Sequence, residues 1–225
     1  MTVAAVILAA TLDVALADAA GVTRVRRIAD AAWSGGALPI VVVAPDPDGR
    51  VTAVLAGAPV TLVEPAPMEA GPVAKIVGGI EVAAGEISET TGALVWPARM
   101  SWAGPETVTS LIEAHGGARD QLLRPTYRGE AGWPALVPVI ALEALRGLAP
   151  SLAPGELLDA LVTGGVPLRT IDLGDPGSVI DGTTPRAELP PYDGPAEPSG
   201  SREWGSPAAA MPDEAPLAGP ARARA

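Results

Sequence analysis

The sequence has no cysteine and no phenylalanine, and it carries only one histidine (His115) and one lysine (Lys75) among 225 residues. Without cysteine the chain forms no disulfide and has no thiol nucleophile. A single histidine excludes zinc and haem sites that are built on clustered His or Cys ligands. These absences remove disulfide-stabilised folds, cysteine enzymes and zinc fingers from consideration.

Positive charge is also scarce. The chain has 15 basic residues against 26 acidic ones, which gives a formal net charge of -11. Nucleic-acid binding and bulk attraction of polyphosphates both depend on many Lys and Arg contacts. We therefore expect no nucleic-acid partner.

The N-terminus invites comparison with a signal peptide, because Val3–Leu8 is apolar and Ala15-Leu16-Ala17 resembles a cleavage site. However, no basic residue precedes Arg24, and Asp13 closely follows the apolar run. A buried first strand explains the segment better. No other segment reaches the roughly 18 apolar residues that a membrane span requires, so we predict a cytoplasmic protein that does not enter a membrane.

Apolar runs of strand length alternate with helical periodicities from residue 3 to about residue 173. Strands are predicted at Val3–Leu8, Leu38–Val43, Val51–Leu55, Val60–Val63, Leu94-Val95, Leu122–Tyr127, Ala135–Val137 and Val166–Leu173. Helices are predicted at Val25–Ala32, Gly71–Ala84, Gly104–His115, Val139–Leu148 and Gly155–Leu161. This alternation predicts an α/β fold with a mostly parallel, doubly wound sheet covered by helices on both faces.

The composition changes after about Arg186. Residues 186–225 contain eight prolines and ten alanines, and their only branched aliphatic residues are Leu189 and Leu217. Such a segment buries too little apolar surface to offset the entropy of ordering. We predict one domain over residues 1–188 and a Pro/Ala-rich tail over residues 189–225 that is disordered unless a partner orders it.

Five segments occur in an order that resembles one known family. The most specific is Arg124–Gly129 (Arg-Pro-Thr-Tyr-Arg-Gly) with the downstream Gly132-Trp133-Pro134; the others are Ala5–Ala10, Gly71–Gly79, Trp102–Val108 and Val179–Pro185. Together they resemble the MobA-like NTP transferases, particularly the molybdenum-cofactor guanylyl- and cytidylyltransferases. The resemblance implies the Rossmann-like fold of nucleotide-diphospho-sugar transferases. It also implies an NTP bound after the first strand and a carboxylate-held Mg²⁺ that promotes transfer to a phosphorylated acceptor.

The phosphate loop departs from the family pattern. The family places a motif of the form L-A-A-G-x-S-x-R-M-G, followed by a lysine, directly after the first strand. Here Ala9 and Ala10 are retained, but Thr11 follows them, and the charged residues of the loop are Asp13 and Asp18. A triphosphate needs free N–H groups and cations, so this loop is expected to repel phosphate.

The positions that the resemblance assigns to metal and acceptor have changed as well. Arg99 stands where the family has an aspartate in L-P-x-D-M-P, and Thr183 replaces the second aspartate of D-x-D-T-P, whose first aspartate is retained as Asp181. Trp133 stands at the histidine of G-H-P. The Coulomb energy of one charge pair at 4 Å is about 4 kcal/mol at an effective dielectric constant of ~20. Replacing the negative aspartate by the positive Arg99 therefore changes the interaction energy with a metal cation substantially. The matched positions predict a vestigial pocket without catalytic or metal-binding residues at Ala9, Ala10, Thr11, Arg99, Trp133, Asp181 and Thr183.

Two interpretations of these residues remain open. Arg99 either replaces Mg²⁺ and holds an anionic ligand, because a guanidinium binds phosphate or carboxylate through two hydrogen bonds, or it pairs with a nearby acid in an inactive pocket. Trp133, with Trp96 and Trp102, either fills the former acceptor cleft or forms a contact surface.

The other polar candidates favour structural roles. His115 is expected at a helix C-terminus, where a partly charged imidazole suits the helix dipole. Asp13 and Asp18 are five residues apart and do not share a helical face, so they are not expected to bind a metal. Turns are predicted for two further pairs of carboxylates, which are Asp46 with Asp48 (between strands) and Asp172 with Asp175.

The sequence therefore predicts a catalytically inactive MobA-like homologue that acts as a binding, assembly or accessory subunit, and the family resemblance suggests a molybdoenzyme system as its setting. We expect protein partners, and we expect no cofactor. One alternative is an active nucleotidyltransferase of molybdenum-cofactor maturation with relocated ligands, which would use Mg²⁺ with CTP or GTP. Another is a binder that holds an anionic small molecule through Arg99 without catalysis.

Overall fold

The computed structural model describes residues 1–194, so residues 195–225 of the predicted tail lie outside the described part. The strands in this part are β1 (Thr2–Leu8), β2 (Ile40–Val43), β3 (Val60–Val63), β4 (Thr90–Pro97), β5 (Leu122–Tyr127), β6 (Glu130–Ala131), β7 (Ala135–Pro138) and β8 (Leu168–Asp172). The helices are α1 (Leu12–Leu16), α2 (Arg24–Ser34), α3 (Arg50–Leu55), α4 (Gly71–Glu86), α5 (Pro105–Gly117), α6 (Leu142–Arg146) and α7 (Pro154–Thr163).

The strands form one mixed sheet in the order β3-β2-β1-β4-β7-β5, with β8 and the short β6 both paired to β5. Strands β1 to β4 run parallel to one another, and β8 runs parallel to β5. Strand β7 is antiparallel to both β4 and β5. The mostly parallel Rossmann-like α/β sheet predicted from the sequence is confirmed, with β7 inserted in the opposite direction.

The N-terminal apolar segment forms the central strand β1 and not an extension outside the fold. Ala4 and Val6 face the core beneath α4, α6 and α7, whereas Ala5 and Ile7 face the core beneath α2 and α5. A strand buried on both faces has an almost continuous apolar sequence, which explains its likeness to a signal peptide. None of the helices formed by residues 1–194 is long and apolar enough to cross a membrane.

Helix α4 approaches the sheet closely at Gly79. A Cβ atom added there would lie 2.5 Å from Val6 Cγ1 and 3.1 Å from Val43 Cγ2. Glycine therefore allows this helix to lie directly on β1 and β2. Because α4 connects the parallel strands β3 and β4, its first turns lie at the carboxyl edge of the sheet, and Lys75 is on one of them.

The strand predicted at Val51–Leu55 is wrong, since these residues belong to α3. The carboxylate of Asp46 accepts hydrogen bonds from the backbone N–H groups of Val51 (2.8 Å) and Thr52 (2.9 Å) and from the Thr52 hydroxyl (2.7 Å). These bonds satisfy the free N–H groups of the first helical turn, and the bond from the Thr52 side chain lowers the pKa of Asp46. The predicted turn at Asp46 therefore leads into a helix, not into a strand.

The expectation of a partly charged His115 is also wrong. The side chain lies in the last turn of α5 but is fully buried, and burial lowers its pKa below the ordinary value. Its Nε2 atom lies 3.1 Å from Thr91 Oγ1 on β4. His115 is therefore a core residue that joins α5 to the sheet, and its burial disfavours the charged imidazole.

Candidate functional site

A cavity of about 250 Å³ opens at the carboxyl ends of β1, β2 and β4. Its lining consists of Leu8, Ala9, Ala10, Val14, Val43, Pro72, Lys75, Pro97, Arg99 and Pro154. The strand order reverses between β1 and β4, and open α/β sheets bind their ligands at such a reversal. This cavity is therefore the candidate functional site.

The loop after β1 presents apolar atoms to the cavity. The Ala9 N–H donates to the Val43 carbonyl oxygen (3.0 Å), which fixes the end of β1 beside β2. Thr11 caps the five-residue helix α1, where its Oγ1 atom accepts a hydrogen bond from the Val14 N–H (3.2 Å). Asp13 is exposed and does not line the cavity. Ala9 and Ala10 thus line the cavity, whereas Thr11 caps α1 beside it.

The structure brings Arg99 and Asp181 together from opposite parts of the chain. Arg99 Nε lies 3.2 Å from Asp181 Oδ2, and Asp181 Oδ1 accepts a hydrogen bond from the Thr183 N–H (2.9 Å). The Gly182 N–H donates to the Arg99 carbonyl oxygen (2.6 Å). The Arg99 side chain is 68% exposed and that of Asp181 is 33% exposed. Arg99 therefore both lines the cavity and pairs with an acid.

These residues do not fit a divalent metal. Mg²⁺ is held by carboxylates, carbonyls and water, but here the guanidinium of Arg99 neutralises the one carboxylate at this position, and Thr183 contributes a neutral side chain. Within residues 1–194, no group of three or more His, Cys, Asp or Glu side chains could hold a metal ion.

Lys75 is a cavity residue that the sequence analysis did not predict. It extends from the early part of α4 and is the second cation of the lining. Its sequence signal was weak but present, since it is the only lysine of the chain and follows the helix start Gly71-Pro72. With eight apolar residues around two cations, the cavity suits one anionic group on a small apolar ligand better than it suits a triphosphate. Its volume is just below the range of about 300–1,000 Å³ that is usual for ligand pockets.

Trp96, Trp102 and Trp133 have separate roles and do not form a common surface. Trp96 is fully buried and donates from Nε1 to the Met100 carbonyl oxygen (2.8 Å). Trp102, 8% exposed, donates from Nε1 to the Thr184 carbonyl oxygen (2.9 Å) and so helps hold the segment that contains Thr183.

Trp133 lies apart from the cavity lining. It is half-buried, packs against the cores on both faces of the sheet, and has the Arg124 guanidinium 5.5 Å from its ring centroid. Its backbone N–H donates to the Ser178 carbonyl oxygen (2.8 Å). The main chain at Trp133 therefore joins the segment before β7 to the loop after β8, while the indole packs against the core.

The remaining carboxylates serve turns. Asp18 Oδ1 accepts a hydrogen bond from the Gly21 N–H (3.1 Å), and Asp172 Oδ1 accepts one from the Gly174 N–H (3.3 Å). Asp175 Oδ1 accepts one from the Gly177 N–H (2.8 Å). The turn roles predicted for Asp172 and Asp175 agree with these contacts.

Solved structures similar to this chain are nucleotidyltransferases or share their fold. Rv0371c of Mycobacterium tuberculosis H37Rv, crystallised in complex with manganese, has 17% sequence identity and a TM-score of 0.61, and the match covers 77% of this chain and 89% of Rv0371c. A nucleotidyl transferase of Methanothermobacter has 21% identity and a TM-score of 0.60, covering 76% of this chain and 87% of that one. A 4-diphosphocytidyl-2C-methyl-D-erythritol synthase has 18% identity and a TM-score of 0.60, covering 79% and 91%. At these identities the likeness establishes the fold.

No curated protein matches the sequence. The family model described as the MobA-like NTP transferase domain matches residues 11–163. This range includes every element from α1 to α7 and the cavity cations Lys75 and Arg99, and it begins just after β1. The chain belongs to the MobA-like NTP transferase domain family.

Proposed function

We propose that this protein is a non-catalytic member of its family that acts as a binding, assembly or accessory subunit. The observation that carries the proposal is the ion pair between Arg99 and Asp181. It puts a fixed positive charge where the family resemblance implies an aspartate that holds a metal. Nucleotidyl transfer depends on cations and N–H donors that stabilise the charge developing on the transferred phosphate. A guanidinium that is already paired with a carboxylate offers little of that stabilisation.

The loop after β1 supports the same conclusion. Its contribution to the cavity is the apolar atoms of Ala9, Ala10 and Val14, and its exposed Asp13 adds negative charge nearby. A triphosphate would therefore meet Lys75 and the neutralised Arg99, without a glycine-rich loop to donate N–H groups.

Nucleotide and metal binding test the loss of catalysis. We expect CTP and GTP at millimolar concentration, with Mg²⁺ or Mn²⁺, to leave the melting temperature of the full chain unchanged, because a ligand that does not bind the folded state does not stabilise it. The double variant Arg99→Asp, Thr183→Asp places two carboxylates beside Asp181 and should gain a Mn²⁺-dependent rise in melting temperature. Arg169→Asp, on the exposed strand β8, makes the same Arg-to-Asp change away from the cavity and should show no such rise.

The alternative is an active enzyme of molybdenum-cofactor maturation whose phosphate ligands have moved, and Lys75 in the cavity is the observation that favours it. It predicts metal-dependent stabilisation of the wild type by CTP or GTP and pyrophosphate release with an acceptor. Either result would refute the non-catalytic proposal. If CTP or GTP then stabilised the wild type but not Lys75→Met, Lys75 would be identified as the relocated phosphate ligand.

The accessory role is tested on the tagged full chain at native expression level in its own host. We expect a complex of fixed stoichiometry that survives gel filtration. A molybdoenzyme subunit in that complex would support an accessory role in a molybdoenzyme system. A different enzyme in the complex would assign the accessory role to that enzyme instead. Elution of the protein as a monomer with no stable partner would contradict the accessory role.

A further inference from the structure

Arg24 is an unusual first residue for a helix, because its side chain is buried. It begins α2 and is 7% exposed, and its Nε atom is enclosed without a hydrogen-bond partner among residues 1–194. Burial of a charged group without a compensating partner is unfavourable in general. Buried polar groups in folded proteins almost always have partners, so an unpaired guanidinium nitrogen needs an explanation.

A second unpaired group faces the same place. Ser101 is 1% exposed, and its Oγ atom has no partner within the described residues. A Cβ atom added at Gly182 would collide with Ser101 Oγ and would lie 3.1 Å from Arg24 Nε. The two enclosed donors, Arg24 Nε and Ser101 Oγ, therefore both lie next to the backbone of Gly182. Because glycine has no side chain, nothing at this position separates them.

The N-terminus of α2 adds to this positive character. Its N-cap residue, Thr23, forms no capping hydrogen bond, and Thr23 Oγ1 is buried without a partner in the described structure. The first N–H groups of an 11-residue helix carry partial positive charge that favours anions.

The neighbouring carboxylate does not neutralise Arg24. Asp181 precedes Gly182, but its Oδ2 atom is paired with Arg99 Nε (3.2 Å) and its Oδ1 atom accepts the Thr183 N–H (2.9 Å). Asp181 is thus paired with the exposed Arg99, and no acidic side chain within residues 1–194 forms an ion pair with the buried Arg24.

We propose that Arg24, Ser101 and the N-terminus of α2 form a binding site for a small oxyanion of the phosphate or sulfate class. The anion accepts hydrogen bonds from Arg24 Nε and Ser101 Oγ and supplies the missing countercharge. Because residues 181–184 cover both atoms, the anion reaches them when this segment moves outward. This movement breaks the exposed Arg99–Asp181 pair, which is weak, and two hydrogen bonds, from the Gly182 N–H to the Arg99 carbonyl oxygen and from Trp102 Nε1 to the Thr184 carbonyl oxygen. The interactions of the bound anion with Arg24 and Ser101 must offset the loss of these contacts.

Inorganic phosphate is the first probe, with sulfate and acetate as separate arms and sodium chloride at matched ionic strength as the reference. We expect phosphate or sulfate to raise the melting temperature of the full chain in a saturable way. The rise should be lost in Arg24→Met and kept in the matched control Arg169→Met on β8. In chloride alone, Arg24→Met should be at least as stable as the wild type, because it removes an unpaired buried charge.

Ser101→Ala provides a second variant that removes one donor with little change in volume, and it should weaken phosphate binding measured by calorimetry at least several-fold. A response to acetate alone would redefine the ligand as a carboxylate and overturn the assignment to the phosphate class. The site would also be refuted if none of the three anions stabilises the wild type. The same holds if the phosphate effect persists in Arg24→Met but disappears in Lys75→Met, since the anion would then bind in the cavity. None of these readouts involves nucleotide or metal, so they are independent of whether the protein is catalytic.

Discussion

Asp175 and Thr107 form a buried hydrogen bond of 2.7 Å that connects the loop after β8 to the first turn of α5. The same carboxylate oxygen, Asp175 Oδ2, also accepts the Gly104 N–H (3.0 Å) at the N-cap of α5. A residue that is far away in sequence thus caps this helix, in place of a local Ser, Thr or Asp. Because Gly104 and Asp175 both follow strands whose carboxyl ends meet at one edge of the sheet, this bond also holds that edge together.

Asp175→Asn should lower the free energy of unfolding by about 1–3 kcal/mol, because an amide cannot accept all three hydrogen bonds and one buried donor is left unpaired. Thr107→Val removes a single bond and should cost about 1 kcal/mol. Urea denaturation measures both values. An Asp175→Asn protein as stable as the wild type would show that the carboxylate is not needed as a helix cap.

Adjacent glycines in α4 should respond oppositely to alanine. Gly79→Ala introduces a Cβ atom 2.5 Å from Val6 Cγ1 and should destabilise the protein by about 1–3 kcal/mol through overpacking. Gly78→Ala meets no atom within 4 Å and should stabilise it by up to about 1 kcal/mol, because alanine has the higher helix propensity. Equal effects at both positions in thermal unfolding would contradict the close approach of α4 to β1.

Stability should fall as the pH decreases below about 6.5, the ordinary pKa of histidine, because burial lowers the pKa of His115 in the folded state. Between the lowered pKa and the ordinary one, the unfolded chain binds a proton that the folded chain does not, so acid favours unfolding. Above the ordinary pKa this contribution to stability is complete. His115→Gln, which can still bond Thr91, should show a smaller loss of unfolding free energy between pH 7.5 and 5.5. An unchanged pH dependence would exclude His115 as its source.

Arg99→Met should change the free energy of unfolding by less than about 1 kcal/mol, because the Arg99–Asp181 pair is largely exposed and surface ion pairs are weak. A double-mutant cycle with Asp181→Asn measures the coupling directly. A coupling well above 1 kcal/mol would show that the pair is retained mainly for stability.

Much of the fold could be predicted because its strands are short apolar runs between clear helix boundaries. The strands at Val60–Val63 and Leu122–Tyr127 have the predicted ends, and Gly104-Pro105 marks the start of α5. Val51–Leu55 was predicted wrongly because helix α3 has only six residues with two buried apolar side chains, which is too little periodicity to distinguish helix from strand. The direction of β7 could not be predicted, since an apolar run has no polarity and its partners are distant in sequence.

The residues of the candidate site could be predicted where they occupy motif positions along the chain. They could not be predicted where their position depends on how a helix is rotated against the sheet. Arg99 and Asp181 were selected from motif positions, and the structure brings them into contact. Lys75 was missed because its direction depends on how α4 sits on β1 and β2, and this is set by the packing of Gly79. The buried state of Arg24 was missed for the same reason, since a basic residue at a helix start is ordinarily solvated.

The ion pair of Arg99 with Asp181 also determines how the carboxyl edge of the sheet responds to its surroundings. A metal ion exchanges with the medium, so a loop held by one depends on supply and can be released by a chelator. A guanidinium is part of the chain and stays charged throughout the physiological pH range. The segment from Asp181 to Thr183 is therefore held in the same way whether divalent ions are abundant or absent, and its conformation carries no information about them.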